Sequence, residues 1–164
     1  MGKKLLKNIL SLGAKVEIVE LENYEEIDII KIFGNSDILW FEGGKPGYLL
    51  YWIRRSGLDK VLPEILDKGV IYVGSSAGSM ICSKNINVTD YYIGNSEPGA
   101  SLLPGLSFID FEIYPHFEDS KKDEIKKIWP KNLGELYLLK DGDVITKDAE
   151  KIEVLGEKIV IGKN

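Results

Sequence analysis

The sequence has very few of the residues that build disulfides, metal sites and nucleotide sites. Among its 164 residues there is one cysteine, Cys82, and one histidine, His116. A single cysteine excludes an internal disulfide and favours a reducing, cytoplasmic location. With so few soft ligands and only scattered carboxylates, we expect no bound metal. Neither a Gly-x-Gly-x-x-Gly motif nor a Walker-type phosphate loop occurs, so no cofactor is expected.

Long apolar runs and an excess of basic charge are also lacking. No stretch approaches the roughly 18 apolar residues of a membrane span. The first residues mimic a signal peptide only weakly, because Lys7 and Asn8 interrupt the apolar stretch. The formal net charge is −5, and the densest lysine cluster, residues 121–127, is interleaved with acidic residues. We therefore expect neither a nucleic-acid partner nor a membrane partner.

The composition is that of one soluble domain, and we expect residues 1–164 to form it. Apolar residues make up 44% of the chain, enough to bury a sheet between helices. Helices are predicted at Lys3–Leu12, Tyr24–Phe33, Tyr48–Arg55, Leu62–Lys68 and Ala77–Ser83. Strands are predicted at Lys15–Leu21, Asp37–Phe41 and Val70–Val73. This alternation predicts an α/β fold, a three-layer sandwich with helices on both faces of a mostly parallel sheet.

The second half of the chain has a different pattern. Residues 106–114 alternate as a strand does, and 121–129 has a helical pattern. Four short strand-like stretches follow, at Glu135–Lys140, Asp143–Thr146, Ile152–Val154 and Lys158–Ile161. Turn signals such as Asp141-Gly142 join them, which predicts a small antiparallel edge to the sheet. Doubly wound domains usually open with a strand, whereas this chain opens with a helix. We therefore expect a short or truncated form of the domain. Exposed sheet in such a form could be covered by another copy of the chain in a homo-oligomer.

The motif Gly74-Ser75-Ser76-Ala77-Gly78 lies between a predicted buried strand and a predicted helix. Gly-x-Ser-x-Gly in that context is typical of a nucleophile elbow, a tight turn that lifts a serine hydroxyl above the end of a strand. The neighbours of the serine must be small so that strand and helix can pass closely. Ser75 is an alternative, but Ser76 is the serine centred between the two glycines. The sequence therefore indicates Ser76 as an activated nucleophile.

A serine hydroxyl needs a base near neutral pH, and His116 is the one histidine that could provide it. It follows a predicted strand, and Pro115 would stiffen the loop that presents it. The carboxylate that orients the imidazole remains open between Asp141, after a later predicted strand, and Asp90. Asp141-Gly142 could equally be an ordinary hairpin turn, and periodicity does not choose between the two acids.

Backbone N–H groups at two places could bind a developing oxyanion. The N–H of Ala77 follows the nucleophile directly, at the start of the predicted helix. Gly43 and Gly44 follow another predicted buried strand, and they could bring a second donor to the same carboxyl edge of the sheet. A flexible connection between strand and helix is the alternative interpretation of this glycine loop.

With these motifs in their order, the chain resembles the peptidase E family of serine peptidases, the Asp-specific dipeptidases and their relatives. The resemblance covers about residues 15–147 and depends on four motifs: Phe41-Glu42-Gly43-Gly44, Tyr72-Val73-Gly74-Ser75-Ser76-Ala77-Gly78-Ser79, Tyr114-Pro115-His116-Phe117 and Leu139-Lys140-Asp141-Gly142. It implies a fold like that of class I glutamine amidotransferases, which is flavodoxin-like. It also implies a Ser-His-acid triad of Ser76, His116 and Asp141, with Asp90 at a second acidic position. The implied activity is cleavage of a short peptide after an N-terminal aspartate.

The chain departs from the family pattern at two places in the site. Lys45-Pro46 replaces part of a longer glycine run that usually ends in Asn-Thr. The arginine-bearing stretch that reads the aspartate has no match, and Lys121 and Lys122 are the nearest substitutes. These departures keep two alternatives open: a binding or regulatory module of the same fold without peptidase activity, and a related hydrolase of esters or aspartyl polymers.

Overall fold

The computed structural model describes residues 3–23, 32–33 and 35–162, and it has an α/β architecture. Its α-helices in that part of the chain are α1 (Lys3–Ser11), α2 (Pro46–Arg55), α3 (Leu58–Asp67), α4 (Ala77–Ile81) and α5 (Lys122–Ile128). Its strands there are β1 (Ile38–Glu42), β2 (Ile71–Ser75), β3 (Glu112–Tyr114), β4 (Leu136–Leu138), β5 (Val144–Asp148), β6 (Lys151–Leu155) and β7 (Ile159–Ile161). None of the described helices is long and apolar enough to cross a membrane.

Strands β1 and β2 form a parallel pair, as the two apolar runs in the sequence predict. The strand predicted as buried at Val70–Val73 is less covered than expected, because Ile71 is exposed and the rest of β2 is half-buried. Their register pairs Ile38 with Ile71 and Glu42 with Ser75, so both strands end at the same edge. Buried side chains of β1, α2 and α3 form the larger part of the first hydrophobic core, which includes Leu39, Phe41, Leu50, Ile53, Leu58, Leu62 and Ile65. This core fixes the place where the glycine loop and the Gly-x-Ser-x-Gly turn leave the sheet.

Strands β3, β4 and β7 form a mixed sheet. β3 is parallel to β4, and β7 is antiparallel to β4. β5 and β6 form a separate antiparallel hairpin. The predicted antiparallel edge is thus present as two elements, the strand β7 and the β5–β6 hairpin. The register pairs Tyr114 with Leu138, so β3 and β4 also end side by side.

Helix α4 lies between the two strand groups. It packs against β1, β2 and β3. Just after it, Ser83 forms a parallel bridge with Ile109. The carboxyl ends of β2 and β3 are thereby held close together, and the loops that follow them reach the same region of the molecule.

Two predicted strands differ from the structure. Residues 14–20 have no regular secondary structure and Leu21–Asn23 is a 3₁₀ turn, so the strand predicted at Lys15–Leu21 is wrong. Alternation is a local property, whereas a strand needs a hydrogen-bonding neighbour, and none pairs with this stretch among the described residues. Of residues 106–114 only the last three form β3, because Ser107 has a positive φ of 63° and Phe108 bonds back to the carbonyl of Cys82.

Helix boundaries also differ from those predicted. α3 begins at Leu58, four residues before the predicted start, because Gly57 at φ 76° ends α2 and starts the new helix at once. Pro63 consequently lies inside α3 instead of in its first turn. The helix predicted at Tyr24–Phe33 lies outside the described residues except for 32–33, which are helical.

Candidate active site

Ser76 occupies the sharp corner between β2 and α4. Its backbone has φ 53° and ψ −119°, a conformation that residues with a side chain rarely adopt. Such strain, of order 1–3 kcal/mol, persists only where the surrounding structure enforces it. The Gly-x-Ser-x-Gly motif is therefore a strained strand-to-helix turn with its central serine at the carboxyl edge of the sheet.

The two glycines of the motif are required by close backbone contacts. A Cβ atom added at Gly74 would lie 2.4 Å from the carbonyl oxygen of Gly78. A Cβ at Gly78 would lie 2.0 Å from the carbonyl oxygen of Phe41 in β1. Both clashes are with backbone, which cannot move aside as a flexible side chain can. The motif thus lets β2, α4 and β1 approach closely around Ser76.

The structure also separates the two adjacent serines. The Oγ atom of Ser75 accepts a hydrogen bond from Nε1 of Trp40 at 3.1 Å. The carbonyl of Ser76 accepts one from the hydroxyl of Ser79 at 2.6 Å, which helps to close the turn. The hydroxyl of Ser76 faces His116 instead. Trp40 therefore engages the competing serine.

His116 is held by its neighbours on both sides. It follows β3 and has a positive φ of 55°. The carbonyl of Pro115 accepts a hydrogen bond from the hydroxyl of Tyr92 at 2.8 Å, and the N–H of Phe117 donates to the carbonyl of Leu139 at 2.8 Å. Phe117 is buried in a second hydrophobic core, which also contains Tyr114, Leu136 and Leu138. These contacts present the imidazole at the edge of the sheet while its ring stays exposed.

Ser76, His116 and Asp141 are brought into one chain of hydrogen bonds. Nε2 of His116 lies 3.0 Å from Oγ of Ser76, and Nδ1 lies 2.6 Å from Oδ1 of Asp141. Asp141 follows β4, so the pairing of β3 with β4 sets the second of these distances. The histidine and aspartate side chains are 53% and 83% exposed. A hydrogen-bonded pair this exposed contributes little to stability, so the arrangement is better explained by chemistry than by folding.

Asp90, the other acidic candidate, has different partners. Its carboxylate accepts a hydrogen bond from the N–H of Gly99 at 3.2 Å and one from the hydroxyl of Ser101. These contacts fix the start of the 3₁₀ turn at Ala100–Leu102. The structure therefore uses Asp90 in a loop, and it brings Asp141 to the histidine.

A cleft beside Ser76 is open to solvent and has an empty volume of about 400 Å³. Its lining comes from the strand-end loops, α4 and the segment 89–97: Gly44, Pro46, Ser76, Ala77, Met80, Thr89, Tyr92, Asn95, Glu97, Pro115 and His116. Gly44 and Ala77 from the predicted oxyanion set line this cleft. Gly43 does not, although it shares the positive φ of Gly44. The lysines proposed as aspartate readers, Lys121 and Lys122, are not among the lining residues.

Segment 89–97 supplies cleft residues that sequence reasoning missed: Thr89, Tyr92, Asn95 and Glu97. Tyr92 stacks on Tyr114 with ring centroids 4.4 Å apart. Burial raises the pKa of Tyr92 to about 12, so its hydroxyl stays protonated and can donate to Pro115. These residues lie in an irregular loop with no motif and no periodicity, so no signal in the sequence could have placed them in the cleft.

Cys82 lies close behind the site but does not take part in it. Burial raises the pKa of its thiol to about 12, so the thiolate is not populated near neutral pH. Its Sγ atom lies 2.9 Å from the carbonyl of Ser79. The buried Cys82 thiol is therefore a poor candidate for a nucleophile.

Beneath the site, a buried carboxylate makes stability depend on pH. Glu112 in β3 accepts hydrogen bonds from the N–H of Val88 at 2.7 Å and from Nδ2 of Asn87 at 2.6 Å. Desolvation raises its pKa from 4.5 to about 6. In the folded state Glu112 therefore keeps a proton that the unfolded chain has already released between these two pH values. Its contribution to stability is greatest below pH 4.5 and is lost as pH rises through about 6.

We expect this effect to amount to about 2 kcal/mol in the free energy of unfolding. Urea unfolding at pH 4.5 and pH 7 measures it, in the wild type and in Glu112→Gln, which cannot titrate. Between the two pH values the wild type should lose about 2 kcal/mol more than the variant does. The same change in both proteins would show that Glu112 has an ordinary pKa.

Comparison with known proteins identifies the family. The model of peptidase family S51 matches residues 3–155, nearly the whole chain. The chain belongs to peptidase family S51. This S51 chain is therefore a peptidase, a hydrolase of peptide bonds, and the resemblance to peptidase E seen in its sequence is confirmed.

Relatives of this S51 peptidase carry corresponding names. It is 28% identical over 159 residues to the uncharacterized peptidase Lmo0363 of Listeria monocytogenes, covering 89% of this chain and 76% of that protein. It is 26% identical over 147 residues to peptidase E of Shewanella amazonensis, covering 82% of this chain and 60% of that enzyme. A crystal structure of a candidate peptidase E from Listeria monocytogenes EGD-e superposes with a TM-score of 0.74 at 25% identity, covering 94% of this chain and 75% of that one.

Proposed function

We propose that this S51 peptidase is a serine exopeptidase that hydrolyses short peptides through an acyl-enzyme. Ser76 is the nucleophile, His116 the general base and acid, and Asp141 the carboxylate that orients the imidazole. The observation that carries the proposal is the continuous hydrogen-bond chain, 3.0 Å from Ser76 to His116 and 2.6 Å from His116 to Asp141. Nucleophile, base and orienting acid within hydrogen-bond reach are the signature of this chemistry.

In the first step, Oγ of Ser76 attacks the carbonyl carbon of the scissile bond and its proton passes to Nε2 of His116. Asp141 accepts a hydrogen bond from Nδ1–H of His116, so Nε2 is free to take that proton. The carboxylate then stabilises the imidazolium that forms. The tetrahedral intermediate then collapses as Nε2–H protonates the leaving amine. An ester between Ser76 and the first part of the substrate remains.

In the second step, water attacks this ester and gives its proton to Nε2 of His116. The imidazolium returns a proton to Oγ of Ser76 as the acid product leaves, so the enzyme is regenerated. In both steps negative charge develops on the carbonyl oxygen. The N–H groups of Ala77 and Gly44, which line the same cleft, are our candidates to bind it.

The size and position of the cleft favour short substrates. Its empty volume is about 400 Å³, including space open to solvent, and residues of the glycine loop and of the segment 89–97 line it. A cleft of this size has room for a few residues of a peptide, and the family that the sequence resembles cleaves short peptides. We therefore favour an exopeptidase or dipeptidase over an endopeptidase.

The aspartate preference implied by the family resemblance needs a cation beside the substrate carboxylate. No Lys or Arg lines the cleft among the residues that the structure describes. Lys121 forms an ion pair with Glu118 at 3.0 Å, and Lys140 bonds both Asp119 and Glu157. The proposal therefore includes short peptides as substrates and leaves out the preference for aspartate.

For the fold we propose the finer arrangement that the family implies. The two strand groups that α4 connects would belong to one flavodoxin-like sheet covered by helices on both faces, within a single domain. The parallel pairs β1–β2 and β3–β4 and the bridge between Ser83 and Ile109 support it.

Labelling with a fluorophosphonate probe tests the proposal directly. Such a probe reacts with an activated serine, and we expect one equivalent on Ser76, located by peptide mass spectrometry. His116→Ala should react at least about 100-fold more slowly because the base is gone. A wild-type protein that is folded but unlabelled would contradict the proposal and favour a binding module of the same fold.

A further inference from the structure

Glu97 brings a negative charge into the cleft that contains the nucleophile. Its side chain lines the cleft together with those of Ser76 and His116. The mechanism proposed above does not use it, and no motif in the sequence indicated it. A carboxylate at this position needs an explanation, because an acidic substrate residue would meet a like charge there.

Backbone contacts hold Glu97 in place. Its own N–H donates to the carbonyl of Thr89 at 2.9 Å, and its carbonyl accepts from the N–H of Ala100 at 3.1 Å. The carboxylate oxygen Oε2 accepts a hydrogen bond from the N–H of Gly47 at 3.0 Å. A Cβ at Gly47 would lie 2.9 Å from Oε1 of Glu97 and 3.0 Å from Cβ of Ala100. The glycine at position 47 therefore makes room for this carboxylate.

Glu97 has no cationic partner among the described residues. The structure shows no ion pair between Glu97 and a described Lys or Arg. Burial is the main reason that the pKa of the neighbouring Tyr92 is raised, but the charges of Asp141 and Glu118 also contribute. The carboxylate of Glu97 therefore favours cations and disfavours carboxylates in the part of the cleft that it lines.

We propose that Glu97 binds a protonated amino group of the substrate, so that this peptidase prefers peptides with a neutral or basic first residue to those with an acidic one. This inference depends on the proposed function of Ser76 as the nucleophile of the same cleft. A carboxylate with one oxygen bonded to Gly47 still has lone pairs to accept N–H bonds from an ammonium group. A charge-assisted hydrogen bond of this kind both orients the substrate and contributes affinity.

The amino group could come from two parts of a peptide. One is the free α-amino group of the first residue, which lies two bonds from the scissile carbonyl carbon. The other is the side-chain amino group of a lysine. Both present the same chemistry to Glu97, and substrates blocked at one position separate them.

The experiment compares kcat/KM for four aminomethylcoumarin amides in wild type and Glu97→Gln: Ala, Asp, N-acetyl-Ala and N-acetyl-Lys. Gln keeps an oxygen that can accept from Gly47 and removes only the charge. We expect the wild type to cleave the Ala amide at least about tenfold better than the Asp amide. Two ratios of kcat/KM are followed: Ala amide over N-acetyl-Ala amide, and N-acetyl-Lys amide over N-acetyl-Ala amide. Glu97→Gln should reduce one of these ratios about 10–100-fold. Loss of the first advantage identifies the α-amino group, and loss of the second identifies lysine.

Two further variants separate charge from folding. Glu97→Asp keeps the charge one methylene further back and should retain part of the lost advantage. Glu64→Gln, on the exposed face of α3, removes an equivalent charge far from the cleft and should change no ratio more than about twofold. Thermal unfolding by circular dichroism shows that each variant is folded before its kinetics are compared.

The outcomes separate this inference from the proposed function. If the wild type reacts with fluorophosphonate at Ser76 but prefers the Asp amide, or if Glu97→Gln changes neither ratio, the role of Glu97 is wrong and the nucleophile stands. The role is also wrong if labelled wild type cleaves no substrate that carries an amino group. If Ser76 is not labelled at all, the proposed function itself fails.

Discussion

Ser76→Ala is expected to lower kcat for a short peptide by about 10⁴–10⁶-fold. The substitution removes the oxygen that lies 3.0 Å from Nε2 of His116 and so prevents the acyl-enzyme from forming. It keeps the Cβ atom, and therefore the strained backbone of the turn, so the fold should not change. Hydrolysis is measured by separating the products of a dipeptide, with thermal unfolding recorded on the same samples.

Two results would contradict this prediction. A variant that hydrolyses the peptide as fast as the wild type would exclude Ser76 as the nucleophile. In that case Ser75→Ala would be the next variant to examine, although its hydroxyl is engaged by Trp40. Residual activity of about 10³-fold over water would not contradict the prediction, because substrate binding and the oxyanion donors remain in the variant.

Asp141→Asn is expected to lower kcat by about 10²–10⁴-fold with little change in stability. The neutral amide no longer stabilises the imidazolium, and it can hold His116 in the tautomer whose Nε2 already carries a proton. Both side chains are largely exposed, so losing this hydrogen-bonded contact should change the free energy of unfolding by less than about 1 kcal/mol. Dipeptide hydrolysis and urea unfolding on the same variant measure the two effects separately.

Asp90→Asn is the matched control for the choice of acid. Its carboxylate bonds Gly99 and Ser101, so the substitution should affect the loop and leave most of the turnover intact. If Asp90→Asn loses as much activity as we expect of Asp141→Asn, while Asp141→Asn stays active, Asp90 is the acid of the relay. If neither variant loses more than about tenfold, the histidine works without an orienting carboxylate.

The local features of the site could be predicted because they depend on short stretches of chain. The turn at 74–78 needs small residues on both sides of Ser76, and this requirement is visible as Gly-x-Ser-x-Gly. The backbone contacts of Gly74 and Gly78 give its physical reason. The apolar runs that became β1 and β2 were equally clear as strands, although β2 is exposed at Ile71 and half-buried along the rest of its length.

The features that could not be predicted depend on residues distant in the sequence. Residues 15–21 alternate as a strand does, yet no neighbour pairs with them among the described residues, so the local pattern was misleading. No local pattern marks Glu97, because its position in the cleft depends on a contact with Gly47, which lies fifty residues earlier in the chain. Trp40 likewise shows its role only through the hydrogen bond to Ser75.

The sequence by itself determined which groups are available for chemistry: a serine centred in a tight Gly-x-Ser-x-Gly turn, a single histidine, and a family pattern that contains both. Tertiary structure decided which carboxylate reaches that histidine, because the register of β3 with β4 brings Asp141 to Nδ1 while Asp90 is used in a loop. It also placed Glu97 in the same cleft as Ser76. Turn geometry and secondary-structure propensity act over a few residues, whereas these two outcomes depend on how strands and loops far apart in the chain pack against each other.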